Sequence, residues 1–523
     1  EVRAPTGWPL PAPAATHIDI YRSLQEHYHL GHPAFLLGQN SERGWWFYFP
    51  LVFVLKTPLP TLLLLAAAAV VGLRQPTSRA AGRRVALWRW GPLALFPSLY
   101  VLTSLFSSVN IGYRHLLPVL PFLFIFVAQL AKARPPHVAR GTQYVSHIFG
   151  PALRVTLHAL LLWLTIATLL ISPHYLAFFN ELAGGPDGGY RYLVDSNLDW
   201  GQNLWQLRDW MRENGVERVY YAHFSPARPQ VYDVAVDFLP PHPRAEGFTP
   251  LEPAPGVYAI GATVLQGVYT ADVNTYAWFR SREPTARLGH ALFIYRVPVR
   301  PAPTWVAICA DPLPVLSPQE VGRRLGRADL RFILLDCRQS WIDPAGEEPG
   351  LIVAPPDVAL PPGAELAVQA RQPDGSPAYH VYRLDRFSAC EMGAPVRLDG
   401  PLDFLGYHAE ATGVRAGQTV DLWTCWQVKE APNRPLSLLG HLVGGEAPPI
   451  AVGDGLGVPV EQWQVGDVIV QRHRFRVPQG TAPGDYRLQS GAYWLDTMDR
   501  WSVQDPGQPP ADRIDLTVLR VQP

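Results

Sequence analysis

From residue 43 to residue 180 the chain carries no Asp and no Glu, although Lys and Arg recur through it and most other positions are apolar. The outside of a water-soluble domain draws on both signs of charge, so a long interval with cations alone is expected to lie in or against lipid. There a carboxylate is costly, while long basic side chains reach the headgroups. At Glu181 acids return, and the rest of the chain is polar and mildly acidic. The formal net charge of +0 therefore averages two unlike halves and identifies no partner.

Within the apolar half, Trp45, Trp46, Phe47, Tyr48 and Phe49 form the aromatic belt expected where a helix enters a bilayer. Four apolar runs follow, at residues 47–73, 90–106, 116–131 and 152–171, each near the ~20 residues needed to cross the hydrocarbon. The first is interrupted by Lys56 and the Thr57-Pro58-Leu59-Pro60 break. Arg74, Arg79, Arg83, Arg84 and Arg89 separate the first two runs, and Lys132, Arg134, Arg140 and Arg154 the last two. By the positive-inside rule both basic loops are expected in the cytoplasm. Residues 1–46, the short link 107–115 and the whole C-terminal half are then extracytoplasmic.

The junction, residues 172–204, reads SPHYLAFFNELAGGPDGGYRYLVDSNLDWGQNL. Beyond it, residues 199–214 have helical spacing with Leu204, Leu207 and Met211 on one face, and strand-like runs recur at 216–221, 256–260 and 291–297. The expected fold is a membrane helical segment of four spans, then an extracytoplasmic α/β domain and a C-terminal β-sandwich. In domains this is an outer loop 1–46, a transmembrane segment 47–173, an α/β domain 174–298, a small mixed segment 299–394 and an accessory β-sandwich 395–523. The sandwich rests on alternating runs at 419–427, 468–477, 485–493 and 514–521, separated by Gly, Pro and Asp. Cys309, Cys337, Cys390 and Cys425 allow three pairings, and their spacing suggests no metal site. The first methionine is Met211, and no basic stretch precedes an apolar run near Glu1, so helices that direct insertion are expected upstream.

Three blocks, residues 44–60 (GWWFYFPLVFVLKTPLP), 110–122 (NIGYRHLLPVLPF) and 172–202 with its DSNLDWGQ, resemble phospholipid-carrier-dependent glycosyltransferases of the GT-C superfamily. That class (family 39) includes protein O-mannosyltransferases and lipid A aminoarabinose transferases. The resemblance runs from about His17 to Pro298, and the C-terminal part is similar to accessory β-domains of such proteins. It implies an integral-membrane enzyme that moves a sugar from a polyprenyl-phosphate donor to a lipid, protein or glycan acceptor outside the cytoplasmic membrane. In such enzymes the catalytic carboxylate sits in the first large outer loop. That loop would precede Glu1, leaving here the C-terminal portion of the enzyme.

An outer-leaflet phosphate calls for cations at headgroup depth, and Lys56 and Arg114 stand at the outer ends of spans. His115 is a possible further donor, or caps the following helix. Asn180, Asp195, Asn197 and Gln202 have the carboxylates and amides that read sugar hydroxyls, with Trp200 as a face for a sugar ring. Asp199 is expected to cap the following helix instead. Glu181, the first carboxylate after the membrane, is the candidate general base. His27, His29 and His32 lack the companion ligands of a metal site and are expected to be hydrogen-bonded surface residues, so no metal ligand and no cofactor is assigned, a divalent ion staying open, while Asp19 and Glu26 in the same loop are candidate substrate contacts. No Gly-rich phosphate loop and no basic, aromatic-interleaved surface point to nucleotide sugars or nucleic acid. The alternative reading is a non-catalytic membrane-anchored envelope protein that binds glycan or protein.

Overall fold

The computed structural model describes residues 31–74, 80–132, 143–310, 313–345, 349–358, 360, 363–385, 390–445, 448–504 and 511–523. Asp19, Glu26, His27 and His29 lie outside them. The chain divides into two compact units. The first holds residues 1–248, 254–298 and 371–376; the second holds 249–253, 299–370 and 377–523.

In the first unit α1 (Tyr48–Lys56) and α2 (Leu59–Arg74) are bent by 111° at the break between them. The cause is local. Pro58 excludes the helical region for its predecessor, and Thr57 accordingly takes φ −89°, ψ 131°, ending α1 after nine residues. Next come α3 (Ala80–Ser104), a 3₁₀ turn at Tyr113–Val119 that runs into α4 (Leu120–Val127), and α5 (Gln143–Leu170).

This corrects the expectation of four spans. Among the described residues one helical stretch, Tyr113–Ala131, is by itself long and apolar enough to cross a membrane, and the bent α1–α2 pair is a second if taken together. The apolar parts of α3 and α5, Leu93–Ser104 and Arg154–Leu170, fall short of that length. Composition records how many apolar residues succeed one another, but not that the chain turns by 111° at the Pro58 break.

The junction that follows contains no long element. It runs as four 3₁₀ turns, at Tyr175–Ala177, Glu181–Ala183, Gly189–Arg191 and Asp195–Asn197. It is nevertheless core: Ala177, Phe179, Leu193, Val194 and Leu198 are buried in one apolar cluster with Tyr48, Phe49, Val52 and Leu55 of α1, Leu116, and the sheet residues Tyr258, Ile260 and Phe293. Burial of each such large side chain contributes about 1.5–3 kcal/mol, which fixes a segment without regular hydrogen bonding.

That sheet has five strands in the order Val236–Phe238, Val219–Ala222, Gly256–Gly261, Leu292–Val297, Ala286–Leu288. The first three run parallel, and the last two join antiparallel. The helix α6 (Leu204–Glu213) packs on it through Leu204, Leu207 and Met211. It starts five residues later than its spacing suggested, with Asn203 at its N-cap.

The second unit is rich in β-structure. One five-stranded sheet has the order Glu365–Arg371, Pro377–Leu384, Gly350–Ala354, Trp305–Cys309, Arg331–Leu335, with parallel pairing among the last three. A six-stranded sheet is centred on Thr419–Val428 and Val468–Arg476, and another five-stranded sheet on Gly484–Trp494 and Leu436–Val443. The latter two share a core that includes Val420, Leu422, Phe475, Leu442, Leu488 and Leu519. Disulfides Cys309–Cys337 and Cys390–Cys425 select one of the three pairings.

Candidate functional site

The segment Ile111–Arg114 is laid against the Asp195–Asn197 turn. Ser196 donates its hydroxyl hydrogen to the Ile111 carbonyl, and the Tyr113 amide donates to Asn197 Oδ1 at 3.0 Å. Gly112 permits the approach: a Cβ there would sit 2.6 Å from Ser196 Oγ. This contact delivers Arg114, which stays exposed, to the indole of Trp200, with the guanidinium 5.2 Å from the ring centroid. Trp200 is itself 43% exposed. Its ring neighbours Phe224 at 5.9 Å, and Phe224 stacks on Tyr269 at 5.6 Å.

Tyr269 closes the row on a carboxylate. Its hydroxyl donates to Asp195 Oδ2, while Oδ1 accepts from the Ser196 amide and the Asp195 amide donates to Thr263 Oγ1 at 2.9 Å. Asp195 is 7% exposed. Burial, and then the Asp195 charge, push the Tyr269 phenol far above its ordinary pKa, so it remains a donor at neutral pH. On the other side of the phenol oxygen lies His32 Nε2 at 3.5 Å. His32 Nδ1 faces the Pro33 carbonyl at 2.9 Å, and since a carbonyl only accepts, Nδ1 carries the hydrogen. The arrangement is an open row of one cation and three aromatic rings ending on a sheltered carboxylate.

Several residues expected at the site are placed elsewhere in the architecture. Lys56, 8% exposed, donates its ammonium to the carbonyls of Leu176, at 2.7 Å, and Asn197, and lies 4.5 Å from the Phe179 ring centroid. It staples the end of α1 to the junction, so it is not an accessible phosphate ligand. Asn180 donates to the Val54 and Thr57 carbonyls and accepts from the Leu182 amide. Asn197, 0% exposed, spends its amide on Tyr113, Val194 and the Tyr48 hydroxyl. Gln202 bonds the Leu198 carbonyl and Trp200 amide. Glu181 is exposed and accepts from the Trp163 indole at 3.1 Å, a contact with α5 and not with the Asp195 row. His115 edges onto Phe49 at 6.0 Å, with its Nε2 buried and unpartnered.

Asp199 does not cap α6, whose N-cap, Asn203, makes no side-chain capping bond. Instead Oδ2 meets His223 Nε2 at 2.6 Å and Oδ1 accepts from the Gly201 amide at 2.7 Å. Burial alone would raise the Asp199 pKa. The hydrogen bond of His223, with those of the Gly201 and Trp200 amides, outweighs it and holds the carboxyl below its usual range. His223 Nδ1 accepts from the Ser225 amide at 2.8 Å, so both ring nitrogens are engaged and the pair is a brace under the Trp200–Phe224 row.

Sequence reasoning missed Tyr269, Phe224, Thr263 and His223. They come from the stretch after a strand end, a short helix and a bend, 19 to 65 positions beyond residue 204, and no spacing marks them. Among the described residues no group of His, Cys, Asp or Glu is arranged to hold a metal ion.

Beside α1 lies a cavity of about 650 Å³, lined by apolar side chains of four helical segments, among them Phe49, Phe53, Leu65, Pro97, Val119 and Phe126, with Ser98 as a polar exception. Phe49, which touches His115, is part of its wall.

No protein-family model matches this chain, and no curated protein does. Among solved structures, the chain is similar to the C-terminal domain of wzt, at 14% identity over 25% of this chain and 81% of that one. The TM-score is 0.17, too low to carry an argument.

Proposed function

We propose that the chain is the C-terminal portion of an integral-membrane glycosyltransferase that moves a sugar from a polyprenyl-phosphate donor to an extracytoplasmic acceptor. The observation that carries this reading is the row Arg114–Trp200–Phe224–Tyr269–Asp195 in the same unit as a largely apolar cavity. A lipid-linked sugar phosphate has three parts, and the unit offers a partner for each. The guanidinium suits the phosphate, the exposed indole suits the C–H face of a sugar ring, and the cavity suits a hydrocarbon chain. Transfer would be an in-line displacement at the anomeric carbon, with the leaving phosphate stabilised by Arg114.

A membrane setting is supported by the large apolar side chains left exposed on the helices, among them Leu99, Leu102, Phe124, Ile125, Leu162 and Leu169. An extracytoplasmic second unit is supported by its two disulfides, which persist in oxidising compartments. We read the six- and five-stranded sheets of that unit as an accessory β-sandwich and the first unit's sheet as an α/β domain above the membrane.

One observation favours the non-catalytic alternative, an envelope protein that binds glycan or protein. Lys56, Asn180 and Asn197, expected at a sugar-phosphate site, are consumed by backbone contacts. The two readings are separated by incubating the full-length protein in detergent with radiolabelled undecaprenyl-phosphate mannose or glucose. The enzyme releases undecaprenyl phosphate, and Arg114→Ala lowers that release at least tenfold. Binding of the probes without release establishes the alternative.

A further inference from the structure

We propose that α1, with the turn leading into it, lies flat in the headgroup layer of the membrane and presents the stripe Trp46, Pro50 and Val54 to phospholipid. It thereby sets the depth at which the Arg114–Trp200 row stands. This rests on the membrane setting above and is independent of the transfer reaction.

Nine residues at a rise of 1.5 Å span about 13 Å, less than half of the ~30 Å of hydrocarbon, so α1 does not cross by itself. It bends by 111° into α2, which is apolar as far as Arg74. Spanning helices tilt by only ~20° on average, so with α2 descending near the membrane normal the bend leaves α1 close to the membrane plane.

Both ends of α1 are tied to one short link. At the start, the Trp45 amide donates to Asn110 Oδ1 at 2.8 Å; at the end, Thr57 Oγ1 and the Tyr113 hydroxyl share a hydrogen bond of 3.1 Å. Asn110 and Tyr113 belong to the segment that carries the chain from the end of α3 into α4. A helix anchored at both ends to a link that joins two helices on one side of the membrane has no room to change depth along its length.

The faces of α1 divide accordingly. Tyr48, Phe49, Val52 and Leu55 are buried with the junction and the sheet. Trp46, 69% exposed, and the exposed Pro50 and Val54 follow one another at intervals of four, which puts them on one side of a helix. No charge interrupts the stripe, and Trp is a side chain that favours the boundary between headgroups and hydrocarbon. Phe106, 83% exposed, lies in the link that holds α1 and extends the same surface toward the exposed Leu99 and Leu102 of α3.

The cavity fits this orientation. Pro50 and Phe53 line it from α1, and Leu116, Val119, Leu123 and Phe126 line it at positions successively further along the chain from Arg114. α1 thus roofs the cavity, and Arg114 stands at its headgroup end.

All four cysteines are paired, so an introduced cysteine is the single reactive thiol of the chain. Nitroxide labels are placed through Trp46→Cys, Pro50→Cys and Val54→Cys, and in α2 through Leu63→Cys and Val70→Cys, two positions that are also exposed. The protein is reconstituted in phosphatidylcholine–phosphatidylglycerol vesicles. Depth is read from relaxation by oxygen, which concentrates in the bilayer, and by a nickel chelate, which stays in water. The α1 labels are expected within about 5 Å of one depth near the lipid phosphates, whereas the two α2 labels differ by about 10 Å. A steady change of about 12 Å from residue 46 to residue 54 makes α1 part of a spanning helix and overturns the proposal. So do α1 labels reached by nickel alone, which puts the stripe in water. α1 labels shielded from both reagents also overturn it, because a protein, a second copy included, then covers the stripe. Any two of the three α1 positions, in variants that keep the wild-type melting temperature, decide. Should the α2 labels also be reached by nickel alone, the membrane setting fails, and the proposal with it. Absence of glycosyl transfer alongside the expected depths refutes the transfer reading and leaves this one standing.

Discussion

The Asn180 side chain reaches back 123 positions to the Thr57 carbonyl, to which it donates at 2.8 Å, and its amide hydrogens also serve the Val54 carbonyl at 2.6 Å. Both acceptors lie at the end of α1, where a helix leaves carbonyls without partners. Lys56 does the converse, donating from α1 to Leu176 and Asn197. These reciprocal ties hold the bent α1–α2 pair against the junction. The row from Arg114 to Asp195 depends on them, because Asn197 also fixes the Tyr113 amide beside Arg114.

Substitution of Asn180 by Ala removes hydrogen bonds to two carbonyls at once and leaves that of Thr57 buried. The expected loss is about 1–3 kcal/mol for each unsatisfied group, read as a lower melting temperature in detergent. Asn180→Asp keeps the size but loses the donors, so it is expected to melt as low as Asn180→Ala.

The Asp199–His223 brace gives the first unit an acid-sensitive point. The folded Asp199 pKa lies below its ordinary value, so its contribution is fully present above the ordinary carboxylate pKa and is lost as pH falls through the folded value. His223→Ala leaves the carboxylate buried without its partner, at an expected cost of about 3–5 kcal/mol at pH 7. Unfolding by denaturant at pH 7 and pH 3 measures both, and the gap between wild type and variant narrows at the lower pH.

Asp343 behaves in the opposite sense. Burial, and then the Asp467 charge, push its carboxyl up to about 6. Asp467 is 0% exposed at its side chain and is held by Arg331 at 2.6 Å. A carboxyl raised on folding contributes stability below its unfolded pKa and loses it as pH rises through about 6. Asp343→Asn is expected to flatten the stability of the second unit between pH 4 and pH 7 and to raise its midpoint at pH 7. A variant with the wild-type slope would show that Asp343 is not the group responsible.

All four cysteines are paired, across sequence separations of 28 and 35. The denatured protein is expected to give no thiol reaction before reductant and four thiols after it. Replacing either pair by Ser is expected to cost about 2–4 kcal/mol in the unfolding of the second unit.

The β-rich character of the second unit was legible along the chain. Apolar and polar residues alternate over Thr419–Val428 and Val468–Arg476, and a strand puts alternate side chains on opposite faces, so a two-residue period survives in one dimension. The amphipathic face of α6 was legible for the same reason at a period of 3.6. The break at Pro58 was visible, but its 111° consequence was not, since a proline ends a helix without dictating where the next one points.

By itself the sequence determined an apolar, acid-free interval over residues 43–180 and a polar remainder after it, the helix and strand periods, and the polar side chains available at residues 172–204. Only the tertiary structure decided which of those side chains remain for chemistry. Lys56, Asn180 and Asn197 look like ligands in sequence, but are consumed where irregular backbone is buried and its donors and acceptors must be met. Asp195 looks like one acid among several, yet it is the one that meets the Tyr269 hydroxyl, 74 positions on. Hydrogen bonds act over about 3 Å of space regardless of separation along the chain, so no local pattern records them.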